Sequence, residues 1–282
     1  MYPIIFKTSF VTVYSFGLFL VLGFFAGSLI TYYLSKKINS KMENLIFFDA
    51  AIFVLLAGLI GARLVFVLLN LGYFKNNLLK IITTWNSGLS LYGGLFFGIL
   101  TLLFILRKEK ENIFKWLDIT MIGTLFGLFF GRIGSFLNGS YYGTQTNSFL
   151  GVVYKNPQSF AYAILGQKVH PIQIYEAIFA LLLGGTLLFF LFRNLKNKKF
   201  SDGTIFFAGI SSYAIFRYFI EFLRGNSIFI GRFNFDQVIS LAVIVLIILG
   251  FSFIFLRQNK KFLNKRSLKC LMPNLLKSKK KN

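Results

Sequence analysis

Long apolar segments recur along the chain, and short polar or charged connections separate them. A helix needs about 20 predominantly apolar residues to cross the hydrocarbon core of a bilayer. A soluble domain could not bury so much apolar surface, since 56% of the 282 residues are hydrophobic and 19% are aromatic. The sequence therefore predicts an all-α integral membrane protein with about seven transmembrane helices, at residues 10–33, 46–69, 89–106, 117–134, 172–192, 203–223 and 236–256.

Positive charge is distributed unevenly between alternate connections. Of the 31 Lys and Arg residues, 21 fall in every second connection and in the C-terminal tail, whereas seven fall in the N-terminal stretch and the other connections. Connections rich in Lys and Arg stay in the cytoplasm, so this bias predicts an outside N-terminus and a cytoplasmic C-terminus. Residues 1–256 are then one transmembrane domain with a small extracytoplasmic head, and residues 257–282 are a basic cytoplasmic tail.

The residue types that are scarce also limit the function. The formal net charge of +22 sits between apolar segments, which favours contacts with anionic membrane lipids and predicts no nucleic-acid partner. The only cysteine, Cys270, lies in the tail, and the only histidine is His170. One histidine and one distant thiol cannot build a usual metal site, so neither a metal nor another cofactor is expected.

Ionisable residues inside the predicted spans indicate where the chemistry lies. A charged side chain within a bilayer costs several kcal/mol unless it is paired or faces water, so it is a functional candidate by default. Under the predicted orientation, several helices place polar groups at the same depth near the outer face. These residues are Arg63, Tyr92, Arg132, His170, Gln173, Glu176, Arg217 and Glu221.

Each of these residues also has a purely structural interpretation. Arg217 and Glu221 are four apart on one helix face, so Glu221 can simply neutralise a buried arginine. Arg63 can be a packing residue, Tyr92 an interfacial aromatic and His170 a helix cap. The arginines nevertheless outnumber the nearby acids, and guanidinium groups bind phosphate through paired N–H donors. The residues by themselves therefore favour a site for an anionic phospholipid.

Five short motifs carry a family resemblance. The segment GRIGSFLNGSYYG at residues 131–143 resembles the signature of the bacterial prolipoprotein diacylglyceryl transferases. Four other segments resemble further motifs of that family in order and spacing: GARL at 61–64, GLSLYGG at 88–94, HPIQIYE at 170–176 and FRYFIEFLR at 216–224. Together they cover essentially the whole chain except the basic tail.

The resemblance implies a multi-pass enzyme of the bacterial plasma (inner) membrane. Such enzymes transfer the diacylglyceryl group of phosphatidylglycerol to the lipobox cysteine thiol of a prolipoprotein signal peptide and release glycerol phosphate. Arg132 and Arg217 match positions implied to bind the lipid and stabilise the departing phosphate. Glu221 is implied to orient Arg217. The other implied substrate-binding positions are Arg63, Ser135, Asn138, Gly143, Gln173 and Glu176.

Four positions depart from the family motifs. Tyr92 stands where the family has histidine, Ser135 replaces asparagine, Ser140 replaces glutamate and Phe16 replaces tyrosine. Three routes to the thiolate stay open: Tyr92 accepts the proton, His170 accepts it, or the thiol ionises without help, since a few per cent of it is thiolate at pH 7.

The departures keep other functions open. A non-catalytic relative would bind anionic phospholipid or lipoprotein signal peptides, because the arginines are retained whereas proton-transfer groups are replaced. A related enzyme with another acceptor belongs to the same class. A small transporter would instead show inverted repeats or helices broken near the midplane, and the sequence shows neither pattern.

Overall fold

The computed structural model describes residues 2–8, 12–75, 78–81, 88–198, 200–225, 229–230, 233–234, 236–245 and 247. Its helices are α1 (Ser15–Lys37), α2 (Asn44–Leu69), α3 (Leu71–Lys75), α4 (Leu91–Lys108), α5 (Ile113–Asn138), α6 (Ile172–Asn197), α7 (Thr204–Ile220) and α8 (Asp236–Val245). Three antiparallel pairs of short strands complete it: β1 (Ile4–Lys7) with β2 (Thr12–Tyr14), β3 (Val152–Val153) with β4 (Lys168–Val169), and β5 (Phe229–Ile230) with β6 (Phe233–Asn234).

Six of the described helices are long and apolar enough to cross a membrane: α1, α2, α4, α5, α6, and α7 with its 3₁₀ extension to Leu223. They coincide with the first six predicted spans, so the prediction of an all-α, multi-pass membrane protein is confirmed. Of the seventh predicted span, residues 236–245 form α8, and most of the remainder lies outside the described residues, as does the whole basic tail. The count of seven helices, their orientation and the domain division stay predictions.

The start of the first span was predicted too early. Residues 12–14 form the strand β2, which pairs with β1, and the helix begins only at Ser15. The run Thr12-Val13-Tyr14 consists of β-branched and aromatic residues, which favour a strand.

Glycines allow the helices to pack closely in pairs. Gly23 and Gly27 of α1 face Gly123 and Gly127 of α5 so closely that a Cβ atom on Gly23 would lie 2.5 Å from the Gly127 carbonyl oxygen. The helix α2 packs along α4, and α5 also packs against α6 and α7. Small residues four apart are the usual means by which membrane helices approach each other, because lipid supplies no hydrophobic driving force between them.

The main apolar core joins the helix ends that are predicted to be cytoplasmic. It contains the last turns of α1 and α4, the first half of α5 and the end of α6, through Leu34, Leu106, Trp116, Ile119, Ile122 and Leu191. The opposite ends carry the polar residues. Over their whole length α2 and α4 form one pair, and α5 packs against α1, α6 and α7, whereas α4 touches α5 only slightly. The apolar core therefore fixes the helices at one end and leaves the other end for polar contacts.

Glu111 links the connection between α4 and α5 to the connection between α1 and α2, at the predicted cytoplasmic end. Its Oε1 accepts hydrogen bonds from Ser40 Oγ (2.7 Å), Lys41 N (2.7 Å) and Met42 N (2.9 Å). Burial acts to raise the pKa of the Glu111 carboxyl, but these hydrogen bonds outweigh it and hold that pKa below its ordinary value. The carboxylate therefore stabilises the fold above the ordinary glutamate pKa, and this contribution is lost as the pH falls through the lowered value.

Glu111→Ala is expected to lower the stability of the detergent-purified protein by about 1–2 kcal/mol at pH 7, because three donors lose an ionised acceptor. Thermal melting followed by tryptophan fluorescence measures the change. The difference from wild type should shrink as the pH falls below the ordinary glutamate pKa and through the lowered pKa of Glu111. Glu109→Ala, two residues away, is the control. Equal melting temperatures for the two variants at pH 7 would contradict the proposed link.

The predicted extracytoplasmic head has a small core of its own. Tyr154, Ala161 and Val169 are fully or almost fully buried in the connection between α5 and α6. Burial raises the pKa of Tyr154 to about 12, against the effect of a hydrogen bond from Gln173, so this phenol stays neutral at any physiological pH. The head is thus a packed unit that can position the polar residues beneath it.

Candidate functional site

Three acidic residues lie in the half of the protein that is predicted to face the outside of the cell, and all three pair with arginine. Glu176 lies in the second turn of α6, Glu221 directly follows α7, and Asp236 begins α8. Their partners come from α5, from α7 and from the segment after α7. We call this group the outer ion cluster; it consists of Arg132, Glu176, Arg217, Glu221, Arg224 and Asp236.

Glu176 is the centre of the cluster and is fully buried. Its Oε2 lies 2.8 Å from Nε of Arg132, and its Oε1 accepts a hydrogen bond from Nη1 of Arg217. One carboxylate thus fixes two guanidinium groups that arrive on different helices. A buried charge is tolerated only with such partners, so the pairing also holds α5, α6 and α7 together.

Glu221 and Asp236 make the other four ion pairs of the cluster, with Arg217 and Arg224. Arg217 Nη2 lies 2.8 Å from Asp236 Oδ2 and 3.4 Å from Glu221 Oε2. Arg224 Nη1 lies 3.0 Å from Glu221 Oε1 and 2.5 Å from Asp236 Oδ2. The predicted pairing of Arg217 with Glu221 along one helix face is therefore present, although it is the longest contact in the cluster.

An aromatic ring covers one side of the cluster. The guanidinium carbon of Arg132 lies 5.5 Å from the centroid of Tyr141, and that of Arg224 lies 4.6 Å from it. Both distances suit cation–π attraction. Tyr141 adopts a left-handed backbone conformation with φ of 63°, at the turn that follows α5. The turn therefore places an apolar, electron-rich face against two of the three arginines.

The charge balance of the site differs from the sequence-based expectation. The sequence predicts an excess of arginines, but among the described residues the cluster contains three arginines and three carboxylates. The difference arises because Arg224 and Asp236 belong to the cluster, whereas the partners of Arg63 lie in another part of the protein. Helix rise gives the depth of a residue, but the rotation of the whole helix within the bundle decides which neighbours that residue meets.

Arg63 binds a loop. Its Nε and Nη1 donate hydrogen bonds to the carbonyl oxygens of Ile81 (2.9 Å) and Gly88 (3.0 Å), and Nη2 donates to that of Lys80 (2.5 Å). Its guanidinium also lies over the ring of Phe74, at 5.3 Å. These contacts give Arg63 a structural role in closing the connection between α2 and α4. Its role in substrate binding stays a prediction.

The two candidate proton acceptors lie in different surroundings. The hydroxyl of Tyr92 is 3.5 Å from Oδ1 of Asp236, so Tyr92 reaches the outer ion cluster from α4. Nδ1 of His170 is instead 3.3 Å from the hydroxyl of Tyr175. The geometry favours Tyr92 over His170 as a group that can act together with the arginines.

Three predicted substrate-binding residues make contacts within the scaffold. Ser135 Oγ donates to the carbonyl oxygen of Gly131 (3.1 Å), one turn earlier in α5. The carbonyl oxygen of Asn138 accepts from the amide of Phe160 (3.0 Å), while its side chain is buried. Gln173 Nε2 donates to the carbonyl oxygen of Ser140 (2.5 Å) and to the hydroxyl of Tyr154 (3.1 Å). These contacts join the end of α5, the head and the start of α6, directly above the cluster.

Gly143 lies where three segments of backbone meet. Its amide donates to the carbonyl oxygen of His170 (3.0 Å), and the next amide, of Thr144, donates to that of Leu223 (2.7 Å). A Cβ atom at this position would lie 2.6 Å from the first of these oxygens and 3.0 Å from the second. Only glycine fits without displacing backbone, which supports the prediction that Gly143 shapes the outer loop.

Gly143→Ala is expected to lower the stability of the protein by about 1–3 kcal/mol, because the added methyl group meets backbone on two sides. The control is Gly185→Ala in α6, where a Cβ atom meets nothing within 4 Å. That substitution should be neutral or slightly stabilising, since alanine favours a helix over glycine. Melting temperatures in detergent decide the question, and a Gly143→Ala variant as stable as the control would show that the loop adapts.

Two members of the outer ion cluster, Arg224 and Asp236, are not among the site residues that the sequence predicts. Arg224 ends a recognised motif, three residues after Glu221, and that helical spacing was a usable signal. Asp236 had a weaker one: it is an acidic residue at the outer end of the last apolar segment. Nothing local indicates that it meets Tyr92, which lies 144 residues earlier in the chain.

Comparison with known proteins gives the same family as the motifs. A family model described as prolipoprotein diacylglyceryl transferase matches residues 3–253. Proteins named phosphatidylglycerol–prolipoprotein diacylglyceryl transferase are 34% identical in Finegoldia magna and 32% identical in Clostridioides difficile, in both cases over 82% of this chain and 86% of the relative. The protein of that name from Clostridium botulinum strain Loch Maree is 29% identical over 93% of this chain and its own full length. The chain therefore belongs to the prolipoprotein diacylglyceryl transferase family.

Proposed function

We propose that this protein transfers the diacylglyceryl group of phosphatidylglycerol to the lipobox cysteine thiol of prolipoprotein signal peptides, at the outer face of the bacterial plasma membrane. The observation that carries the proposal is the pair of guanidinium groups, Arg132 and Arg217, held on the buried carboxylate of Glu176. The family membership and the names of the relatives agree with it.

The reaction explains why arginines are needed. The thiolate sulfur forms a bond to the glycerol carbon that carries the phosphate ester, and the carbon–oxygen bond breaks. The electron pair stays on the phosphate oxygen, so the released glycerol phosphate carries one more negative charge than the phosphodiester did. Arg132 and Arg217 are expected to donate N–H groups to that phosphate, where the charge develops.

The other residues hold these donors in place. Glu176 fixes the spacing of Arg132 and Arg217, and Glu221 aligns Arg217 and Arg224 from the other side. Gly143 and Asn138 shape the connection above the headgroup. Such positioning lowers the activation free energy of the transfer substantially, because the donors need no reorganisation when the charge on the phosphate develops.

The membrane supplies both substrates. Large apolar side chains on α4 face outward, among them Leu91, Leu95, Phe96 and Ile99, each at least half exposed in the isolated chain. These side chains suit contact with lipid, and Tyr92 lies among them with its hydroxyl directed to the cluster. The basic tail, residues 257–282, is proposed to bind anionic lipid on the cytoplasmic side without taking part in catalysis.

A transfer assay with the purified full-length protein tests the function. The protein in detergent is mixed with phosphatidylglycerol and a lipobox-cysteine peptide, and the peptide mass and released glycerol phosphate are followed together. The expected result is a peptide heavier by one diacylglyceryl group and an equal amount of glycerol phosphate. A folded protein that yields neither product would refute the proposal. A lipobox peptide with serine in place of cysteine is the control for the thiol.

A non-catalytic lipid-binding relative is the second candidate. The observation that favours it is the direction of two hydroxyl groups at positions where the family has asparagine and glutamate. Ser135 Oγ bonds the backbone of α5, and Ser140 Oγ bonds the Ser135 carbonyl oxygen, so neither reaches the arginines. Under this alternative, phosphatidylglycerol binds and Arg132→Ala weakens that binding, but no glycerol phosphate is released.

A further inference from the structure

Asp236 uses its two carboxylate oxygens for different contacts. Oδ2 lies between Arg217 Nη2 (2.8 Å) and Arg224 Nη1 (2.5 Å), whereas Oδ1 accepts from the Tyr92 hydroxyl (3.5 Å). The Asp236 side chain is 29% exposed, against 0% for Glu176 and 2% for Glu221. Asp236 is therefore the acid of the cluster that an incoming substrate can reach.

The charge balance makes one carboxylate an obstacle to the lipid. Three arginines already face three carboxylates, and a phosphodiester adds a further negative charge. When the carbon–oxygen bond breaks, the departing phosphate carries one more negative charge than the phosphodiester. An anion next to like charges is disfavoured unless one of those charges is neutralised or moves away. Glu176 and Glu221 are buried and hold the arginines, which leaves Asp236 as the group that can change its charge.

We propose that Asp236 is the proton acceptor of the reaction, that it acts through the hydroxyl of Tyr92, and that its protonation releases Arg217 and Arg224 to the lipid phosphate. The inference rests on the proposed transferase function and adds a catalytic pair to it. It develops one of the three routes to the thiolate, the one through Tyr92, because the Tyr92 hydroxyl contacts the Asp236 carboxylate and can pass a proton to it.

The proton transfer balances with the bond changes. The thiol proton moves to the Tyr92 oxygen while the Tyr92 hydroxyl proton moves to Asp236 Oδ1, which leaves a thiolate, a neutral phenol and a neutral carboxyl. The thiolate then attacks the glycerol carbon, and the electron pair of the broken bond stays on the phosphate oxygen. Asp236 returns its proton to water after glycerol phosphate leaves. The 3.5 Å contact between Tyr92 and Asp236 is expected to shorten when the substrates bind.

A carboxylate is by itself a weak base towards a thiol, whose ordinary pKa is near 8.5 against about 3.9 for aspartate. The lipid makes the transfer less costly, because its phosphate competes for the two guanidinium groups and places a negative charge beside Asp236. Among the described residues, the charged and titratable groups in contact with Asp236 are Arg217, Arg224 and Tyr92, and Glu221 shares both arginines. Within α8 itself, Ser240 Oγ donates only to the backbone oxygen of Asp236 (2.8 Å).

The test compares Asp236→Asn, Tyr92→Phe and the double variant in the full-length protein, with the transfer assay and with phosphatidylglycerol binding measured separately. Asp236→Asn is expected to lower kcat by about 100-fold or more, as the loss of a proton acceptor does. The same change should tighten phosphatidylglycerol binding severalfold and lower its KM, because a competing anion is removed. The acidic limb of the kcat/KM profile against pH should disappear. Tyr92→Phe should lower kcat similarly, and the double variant should lose little more.

Several outcomes would overturn the inference. Wild-type kcat in Asp236→Asn would exclude Asp236 as acceptor, and a reduced kcat with weaker lipid binding and an unchanged pH profile would show a structural role. Ser240→Ala is the control in the same helix and should keep wild-type kinetics. If the wild-type protein itself forms no product, the proposed transferase function is refuted. The separate measurement of phosphatidylglycerol binding then still shows whether Asp236 competes with the lipid phosphate for the arginines.

Discussion

Arg132→Lys is expected to lower kcat/KM for diacylglyceryl transfer by about 100- to 1000-fold while the protein still folds and inserts, and Arg132→Ala to lower it at least as much. The protein should fold because Glu176, the acidic partner of Arg132 among the described residues, is also held by Arg217. Lysine keeps the charge but supplies a compact ammonium group, which cannot present paired N–H donors in a fixed plane to a phosphate. The transfer assay measures the change.

Arg193→Ala is the matched control, since Arg193 is exposed at the opposite end of α6 and should leave transfer unchanged. Binding of phosphatidylglycerol should weaken in Arg132→Ala as well, because the same donors contact the ground-state phosphodiester. Full activity of Arg132→Lys would show that only charge matters at this position. Full activity of Arg132→Ala would remove Arg132 from the leaving-group site altogether.

Glu176→Ala is expected to have the largest effect on stability, a loss of about 3–5 kcal/mol. Glu176 is fully buried and joins guanidinium groups of α5 and α7 to α6. Its removal leaves Arg132 without its acidic partner among the described residues and takes one of three carboxylate partners from Arg217. The apolar core lies at the other end of these helices and cannot compensate at this depth. Thermal melting in detergent and the fraction of protein that elutes as a folded species measure the loss.

Ile178→Ala, two residues further along α6, is the control for a substitution on the same helix, because that side chain is half exposed and faces outward. It should change the melting temperature only slightly. Glu176→Gln should fall between the two, since the amide fills the space but carries no charge. A Glu176→Ala protein that melts at the wild-type temperature would contradict the central role of this carboxylate.

The two predictions separate two functions of one ion pair. Arg132 can be removed without leaving a buried carboxylate unpaired, so its loss should appear in the chemistry. Removal of Glu176 takes away the carboxylate that joins α6 to the arginines of α5 and α7, so its loss should appear first in the fold. Activity measured per folded protein distinguishes these cases and keeps a stability defect from being taken for a catalytic one.

The sequence by itself determined the membrane spans and the depth of the polar residues. Hydropathy and helix rise are local properties, so six spans and the position of Arg132, Glu176 and Arg217 near one face followed directly from the order of residues. The pairing of Arg217 with Glu221 followed as well, because residues four apart on a helix are neighbours. The structure adds that Glu176 contacts two of the arginines, Arg132 and Arg217.

Only the tertiary structure decided which of these residues meet. Arg63 has the right depth but binds the carbonyl oxygens of a loop, because the rotation of α2 is set by its packing on α4. Asp236 joins the cluster and contacts Tyr92 although the two are far apart in sequence. The charge balance of the site, and with it the need for a carboxylate that can change its charge, depends on these two placements. Helix rotation and long-range contact arise from packing between elements, which no local pattern encodes.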